Sequence, residues 1–196
     1  MQKKLRKHQN KENIYNLPNF ISLYRLMSIP ILWYIAYSGN EKVFFYLFLL
    51  NMFTDVLDGF IARKFNLQTK FGAKLDSIAD FFMYLLAMYA MIHFKWEELQ
   101  MYKYSFFAIM FYYLAIDLFS LVKFREIARL HLISSKVAGV IEGMFFLLLF
   151  SYGFVSWLYW LMFIVASYSF IENMYYLVKL NKMQSNLRGF FWNKAG

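Results

Sequence analysis

Four aspartates, Asp55, Asp58, Asp76 and Asp80, stand in otherwise apolar sequence. On a helix Asp55, Asp58 and Ala62 share one face, and so do Gly72, Asp76 and Asp80, because residues three and four apart are surface neighbours. Two helices therefore each aim two acids the same way. Unpaired carboxylates among apolar residues are costly, so a cation belongs between them. An all-oxygen donor set suits a hard divalent ion, Mg2+ or Mn2+. Two such ions can clamp a pyrophosphate and offset charge on the leaving oxygen in a displacement at phosphorus. Gly59 and Gly72, lacking side chains, let a substrate come close to the backbone. Arg63 suits a two-pronged hold on phosphate. One acid is then free as a general base for an attacking hydroxyl, and Asp80, the deepest on its helix and the last of the series, is the choice.

The elements that carry these residues are membrane helices. Of the 196 residues 61% are hydrophobic and 23% aromatic, against roughly 45 to 50% apolar in soluble domains. A net charge of +9 would suggest nucleic acid only if the basic residues formed a stripe on a soluble face, and they do not. With no cysteine, disulfides, thiolate metal sites and cysteine nucleophiles are excluded. No secretory signal is expected, since Asn16, Pro18, Asn19 and Arg25 interrupt the stretch after the basic start.

Residues 1–19 carry Lys3, Lys4, Arg6, Lys7 and Lys11 against Glu12, a cytoplasmic interfacial segment that touches anionic headgroups or, equally, a disordered basic tail. Apolar runs at about 20–38, 42–63, 71–94, 104–122, 137–154 and 157–178 predict six transmembrane helices in one catalytic domain, 20–180, followed by a basic tail, 181–196. Arg25 lies near the start of the first run, from where its side chain can snorkel to the interface. With both termini cytoplasmic, 18 of the 21 Lys and Arg residues fall inside and only Lys42, Lys95 and Lys103 outside, as the positive-inside rule requires. Asp55 precedes Arg63 by eight residues and Asp80 follows Gly72 by eight. Each acid thus lies about 12 Å from the cytoplasmic hairpin at 1.5 Å per residue. Both pairs meet at one depth in a cavity open to the cytoplasm.

The arrangement of Asp55, Asp58, Gly59, Ala62 and Arg63, then eight residues, then Gly72, Asp76 and Asp80 resembles the signature of the CDP-alcohol phosphatidyltransferase family at every fixed position. The stretch from Pro18 and Asn19 through Ser22 to Arg25 is similar to the opening that precedes the first span in many members. The resemblance implies an all-α integral membrane enzyme of the inner (cytoplasmic) membrane, commonly a homodimer. It would transfer a phosphatidyl group from CDP-diacylglycerol to a small polar or phosphorylated alcohol and release CMP. By motif position, Asp55, Asp58 and Asp76 would bind metal, Gly59, Arg63 and Gly72 would contact the CDP moiety, and Asp80 would be the base and also a metal ligand.

An ion-coupled membrane transporter is the rival reading, but transport needs neither the glycines nor the arginine at these spacings. Lys74 can pair with Asp58 across the hairpin, yet one lysine does not neutralise four acids. For the acceptor, Arg125, Arg129 and Lys136 flank the cytoplasmic mouth and favour a phosphorylated alcohol such as glycerol 3-phosphate. Inositol, inositol phosphate, serine and phosphatidylglycerol are the alternatives, since Ser134 and Ser135 precede Lys136 where glycerol-phosphate-using relatives often have a Gly-Lys pair. Asp117 is the acid outside the signature best placed to face the cavity, with Glu142 and Glu172 behind it. His8, His93 and His131 are too dispersed to form a ligand set. Gly139 and Gly143 permit close helix packing, within the protomer or between protomers.

Overall fold

The computed structural model describes residues 16–125, 130, 132–181 and 189. Residues 1–15, Arg129 and the tail beyond 181, apart from Gly189, lie outside the described residues. Those described are helical and include no strand: α1 Leu17–Tyr37, α2 Glu41–Lys64, α3 Lys70–Leu99, α4 Lys103–Phe124, α5 Ile133–Ser151 and α6 Ser156–Lys179. Five helical segments are long and apolar enough to cross a membrane, α3 and α4 counting as one 54-residue stretch, Phe71–Phe124. A 3-10 turn, Gln100–Tyr102, joins these two helices, and α3 departs from helical geometry at Lys95. The chain divides into two compact units, 1–90 and 91–196.

In the first unit the sequence caps its own helices. The Asn16 side chain accepts from the Asn19 N–H and Pro18 lies in the first turn of α1, where its missing N–H costs nothing. Asn40 caps α2 through the Val43 N–H, and Arg63 and Lys64 occupy its last turn, where cations favour the helix dipole. α1 and α2 pack antiparallel, and polar rungs record their register: Ser22 bonds Asp58, Arg25 bonds Asp55, and Ser28 bonds Asn51. Beyond these rungs the contact turns apolar, with Ile29, Leu32 and Ala36 of α1 and Phe44 and Phe48 of α2 buried. On α3 the buried Ala79, Met83, Leu86 and Ala90 recur at helical spacing, and Tyr89 stacks on Trp33 of α1 with ring centroids 5.1 Å apart. The outward residues Met27, Ile31, Tyr34, Tyr46, Phe53 and Val56 are exposed and apolar, a face suited to lipid.

In the second unit α5 and α6 are antiparallel neighbours. At one end Tyr159, fully buried, packs against Tyr102, Phe145 and Phe154, and its hydroxyl lies 2.6 Å from Ser105 Oγ. At the other end Leu130, Leu132, Tyr176 and Leu177 form an apolar cluster. There Lys123 Nζ donates to the Leu177 and Val178 carbonyls, each at 2.7 Å, satisfying acceptors that the last turn of α6 leaves open.

Candidate active site

The first unit gathers the four signature acids around one guanidinium. Arg25, only 2% exposed, projects from α1 between α2 and α3. Its Nη1 donates to Asp55 Oδ1, and to Asp76 Oδ1 at 3.0 Å; its Nη2 donates to Asp80 Oδ1 at 2.6 Å. Asp58 Oδ2 is 3.7 Å from Nη1 and accepts from Ser22 Oγ at 2.9 Å. Snorkelling is therefore not what Arg25 does. Its helix starts at Leu17, which puts Arg25 eight residues in, the same depth at which Asp55 and Asp80 lie from the α2–α3 hairpin. A guanidinium on the facing side of α1 at that depth reaches carboxylates rather than headgroups. Asp58 likewise meets Ser22 and Arg25, while Lys74 is exposed.

The acids differ in access. Asp58 is buried, whereas the side chains of Asp55, Asp76 and Asp80 retain 41%, 39% and 21% of their exposure. Asp55, Asp76 and Asp80 each offer one oxygen, all within 4.8 Å of one another. Three carboxylate oxygens this close are a donor set that would suit a hard divalent ion such as Mg2+ or Mn2+. The charge fits as well. Among the described residues four carboxylates gather around one guanidinium, an acidic cluster that favours a further cation.

The two glycines have different surroundings. The nearest atoms to a Cβ on Gly59 would be those of the Arg63 guanidinium, with Nη1 at 3.2 Å, so the exposed Arg63 folds back over Gly59 on α2. A Cβ on Gly72 would overlap Asn19 Oδ1. Asn19 fills that space because it is held there: its Nδ2 donates to Thr69 Oγ1 at 3.2 Å, and Thr69 Oγ1 accepts from the Gly72 N–H at 2.9 Å. Asn16 Nδ2 donates to the Leu67 carbonyl at 3.1 Å. The opening of α1 thus latches the α2–α3 hairpin, and the small residue at 72 admits the latch.

Of the acceptor candidates, Arg125 and Lys136 are exposed and Asp117 is half-buried, all in the second unit; Arg125 has left-handed backbone at φ 59°. Arg129 lies outside the described residues. The second unit also holds buried polar side chains that the sequence does not mark as a group. Ser134 donates to Glu172, Asn173 Nδ2 donates to Ser135 Oγ at 2.8 Å, and Ser169 bonds Ser135 at 3.2 Å. Glu142 accepts from Tyr113.

Apolar helices of membrane length, carrying four carboxylates that converge on one guanidinium, define an integral membrane protein with an acidic cluster that could hold a metal ion. The chain belongs to the CDP-alcohol phosphatidyltransferase family, whose model matches residues 15–171. It is similar to the CDP-diacylglycerol–glycerol-3-phosphate 3-phosphatidyltransferase of Rickettsia typhi, 48% identical over 68 residues, covering 33% of this chain and 38% of the relative. The enzyme of that name from Salmonella typhimurium is 35% identical over 77 residues, 38% of this chain and 42% of the relative. A cardiolipin synthase (CMP-forming) / mitochondrial hydrolase fusion protein of Schizosaccharomyces pombe is 43% identical over 70 residues, 36% of this chain and 12% of that protein. The chain thus spans about two fifths of the length of the bacterial relatives it matches. No solved structure matches it.

Proposed function

We propose that this protein transfers the phosphatidyl group of CDP-diacylglycerol to glycerol 3-phosphate with release of CMP. The observation that carries this reading is the convergence of Asp55, Asp76 and Asp80, with Asp58 beside them, on the residues whose spacing marks the family. Asp55, Asp58, Asp76 and Asp80 would hold Mg2+ or Mn2+, two ions in number, which when bound draw in the pyrophosphate and offset charge on the departing CMP. Arg63, free to swing off Gly59, grips a phosphate of the nucleotide. The Asp80 carboxylate takes the proton of the acceptor hydroxyl as its oxygen bonds to the phosphatidyl phosphorus. The phosphorus–oxygen bond to CMP breaks, and CMP leaves with the electron pair. Exposed Arg125 and Lys136 suit a phosphorylated acceptor, with Arg129 in the same role and Asp117 a partner for its hydroxyls.

Six crossings of the inner (cytoplasmic) membrane, with both termini and the site on the cytoplasmic side, fit the distribution of Lys and Arg. A homodimer is supported by Gly139, where an added Cβ would meet open space, so that α5 can admit a second copy closely. Phosphatidylglycerol is the second acceptor to consider, favoured by the likeness to a cardiolipin synthase. The test is purified protein in detergent with CDP-diacylglycerol, Mg2+ or Mn2+ and a panel of alcohols, scoring lipid products by mass. Phosphatidylglycerol phosphate is the expected product, cardiolipin marks the second reading, and no CMP release with any alcohol overturns the enzyme. Asp80→Asn is expected to keep CDP-lipid binding and lose transfer.

A further inference from the structure

The most buried charge among the described residues of the first unit touches every signature acid, and the proposed reaction leaves it without a task. We infer that Arg25 is the site's resident counter-cation: it holds the carboxylates together when no metal is bound, and a metal must take oxygens from it. Two observations and the electrostatics of the site converge. Arg25 binds the same three acids, Asp55, Asp76 and Asp80, whose oxygens approach within 4.8 Å. A guanidinium and a divalent ion would both draw on those carboxylates, and they repel each other. The guanidinium is also imperfectly held, since its Nε is buried with no hydrogen-bond partner among the described residues. A buried donor left unused makes this arrangement less favourable than a fully paired one. Arg25 is thus placed to yield oxygens without leaving the site, as Nη1 alone bridges two acids.

This inference rests on reading the acids as metal ligands, and Mn2+ is the probe. Binding to the full chain in detergent is followed by the electron paramagnetic resonance of free Mn2+, and thermal unfolding is measured in excess chelator and in saturating Mn2+. Arg25→Gln is expected to bind Mn2+ roughly tenfold tighter or more. It should also unfold at lower temperature than wild type in chelator, the gap closing as Mn2+ saturates. A residue that merely shaped the site would weaken Mn2+ binding when replaced, so the sign separates the two roles. Arg25→Lys keeps the charge but reaches fewer oxygens, and falls between the two proteins on both measures. If Arg25→Gln is recovered only with Mn2+ present, the lysine variant carries the test. Saturable binding by wild type with no tightening in the variants overturns the role of Arg25 alone. Absence of saturable binding by wild type overturns the metal reading as well.

Discussion

Gly59 and Gly72 are alike in the signature and unlike in what surrounds them. At Gly59 an added methyl meets the far end of the Arg63 side chain; at Gly72 it meets Asn19, fixed by Thr69. Alanine in place of glycine gains about 1 kcal/mol of helix propensity. At Gly72 that gain is outweighed, because Asn19 must leave and strand buried polar groups at about 1 to 3 kcal/mol each. Gly72→Ala should therefore lower the thermal unfolding midpoint, and Asn19→Ala should restore much of the loss by clearing the space. Gly59→Ala should leave the midpoint near wild type and raise KM for the CDP-lipid through displaced Arg63. Equal destabilisation by both alanines would refute the distinction.

Among elements, the contact of α1 with α2 is fixed by polar rungs, because lipid-facing helices gain little from apolar burial alone. Ser28 and Asn51 form the rung beyond the acids, 2.6 Å apart, and Asn51 also donates to the Leu47 carbonyl. A double-mutant cycle with Ser28→Ala and Asn51→Leu should give a coupling of about 0.6 kcal/mol, the usual size for such bonds within membranes. Zero coupling would remove the rung. The acids were legible in the sequence because carboxylates in apolar runs have few explanations, and their i, i+3 and i, i+4 spacing names the helix face. Arg25 was visible yet misjudged, since an arginine near a helix start can reach water or a neighbour, and only the facing helix decides. The latch of Asn19, Thr69 and Gly72 was not legible: Asn19 lies 50 residues before Thr69, and uncharged residues so far apart carry no periodicity that pairs them.

For the whole molecule, the two-sided distribution of charge is a claim about orientation. The chain has no cysteine, so single cysteines are clean reporters. Ser38→Cys, in the exposed turn between α1 and α2, should react with an impermeant maleimide from outside intact cells. Gln68→Cys, exposed in the α2–α3 hairpin, should react only after the cells are opened. The opposite pattern would invert the topology and put the acids away from cytoplasmic nucleotide. Helix boundaries were readable from hydropathy to within a few residues. The division between spans three and four was less so, because apolar helix runs almost unbroken from 71 to 124.

The pairing of Arg25 with Asp55 and Asp58 also bears on how the chain enters a bilayer. Each charge alone at mid-membrane costs about 2.5 to 3.5 kcal/mol in translocon-mediated insertion. Because the partners lie on successive helices joined by the short turn at Gly39, α1 and α2 can leave the translocon as one neutralising hairpin. Nascent chains truncated after α1 should insert poorly, and extending them through α2 should rescue the first helix, as read by glycan acceptor sites. The arginine would then do its first work during synthesis, before any substrate is present.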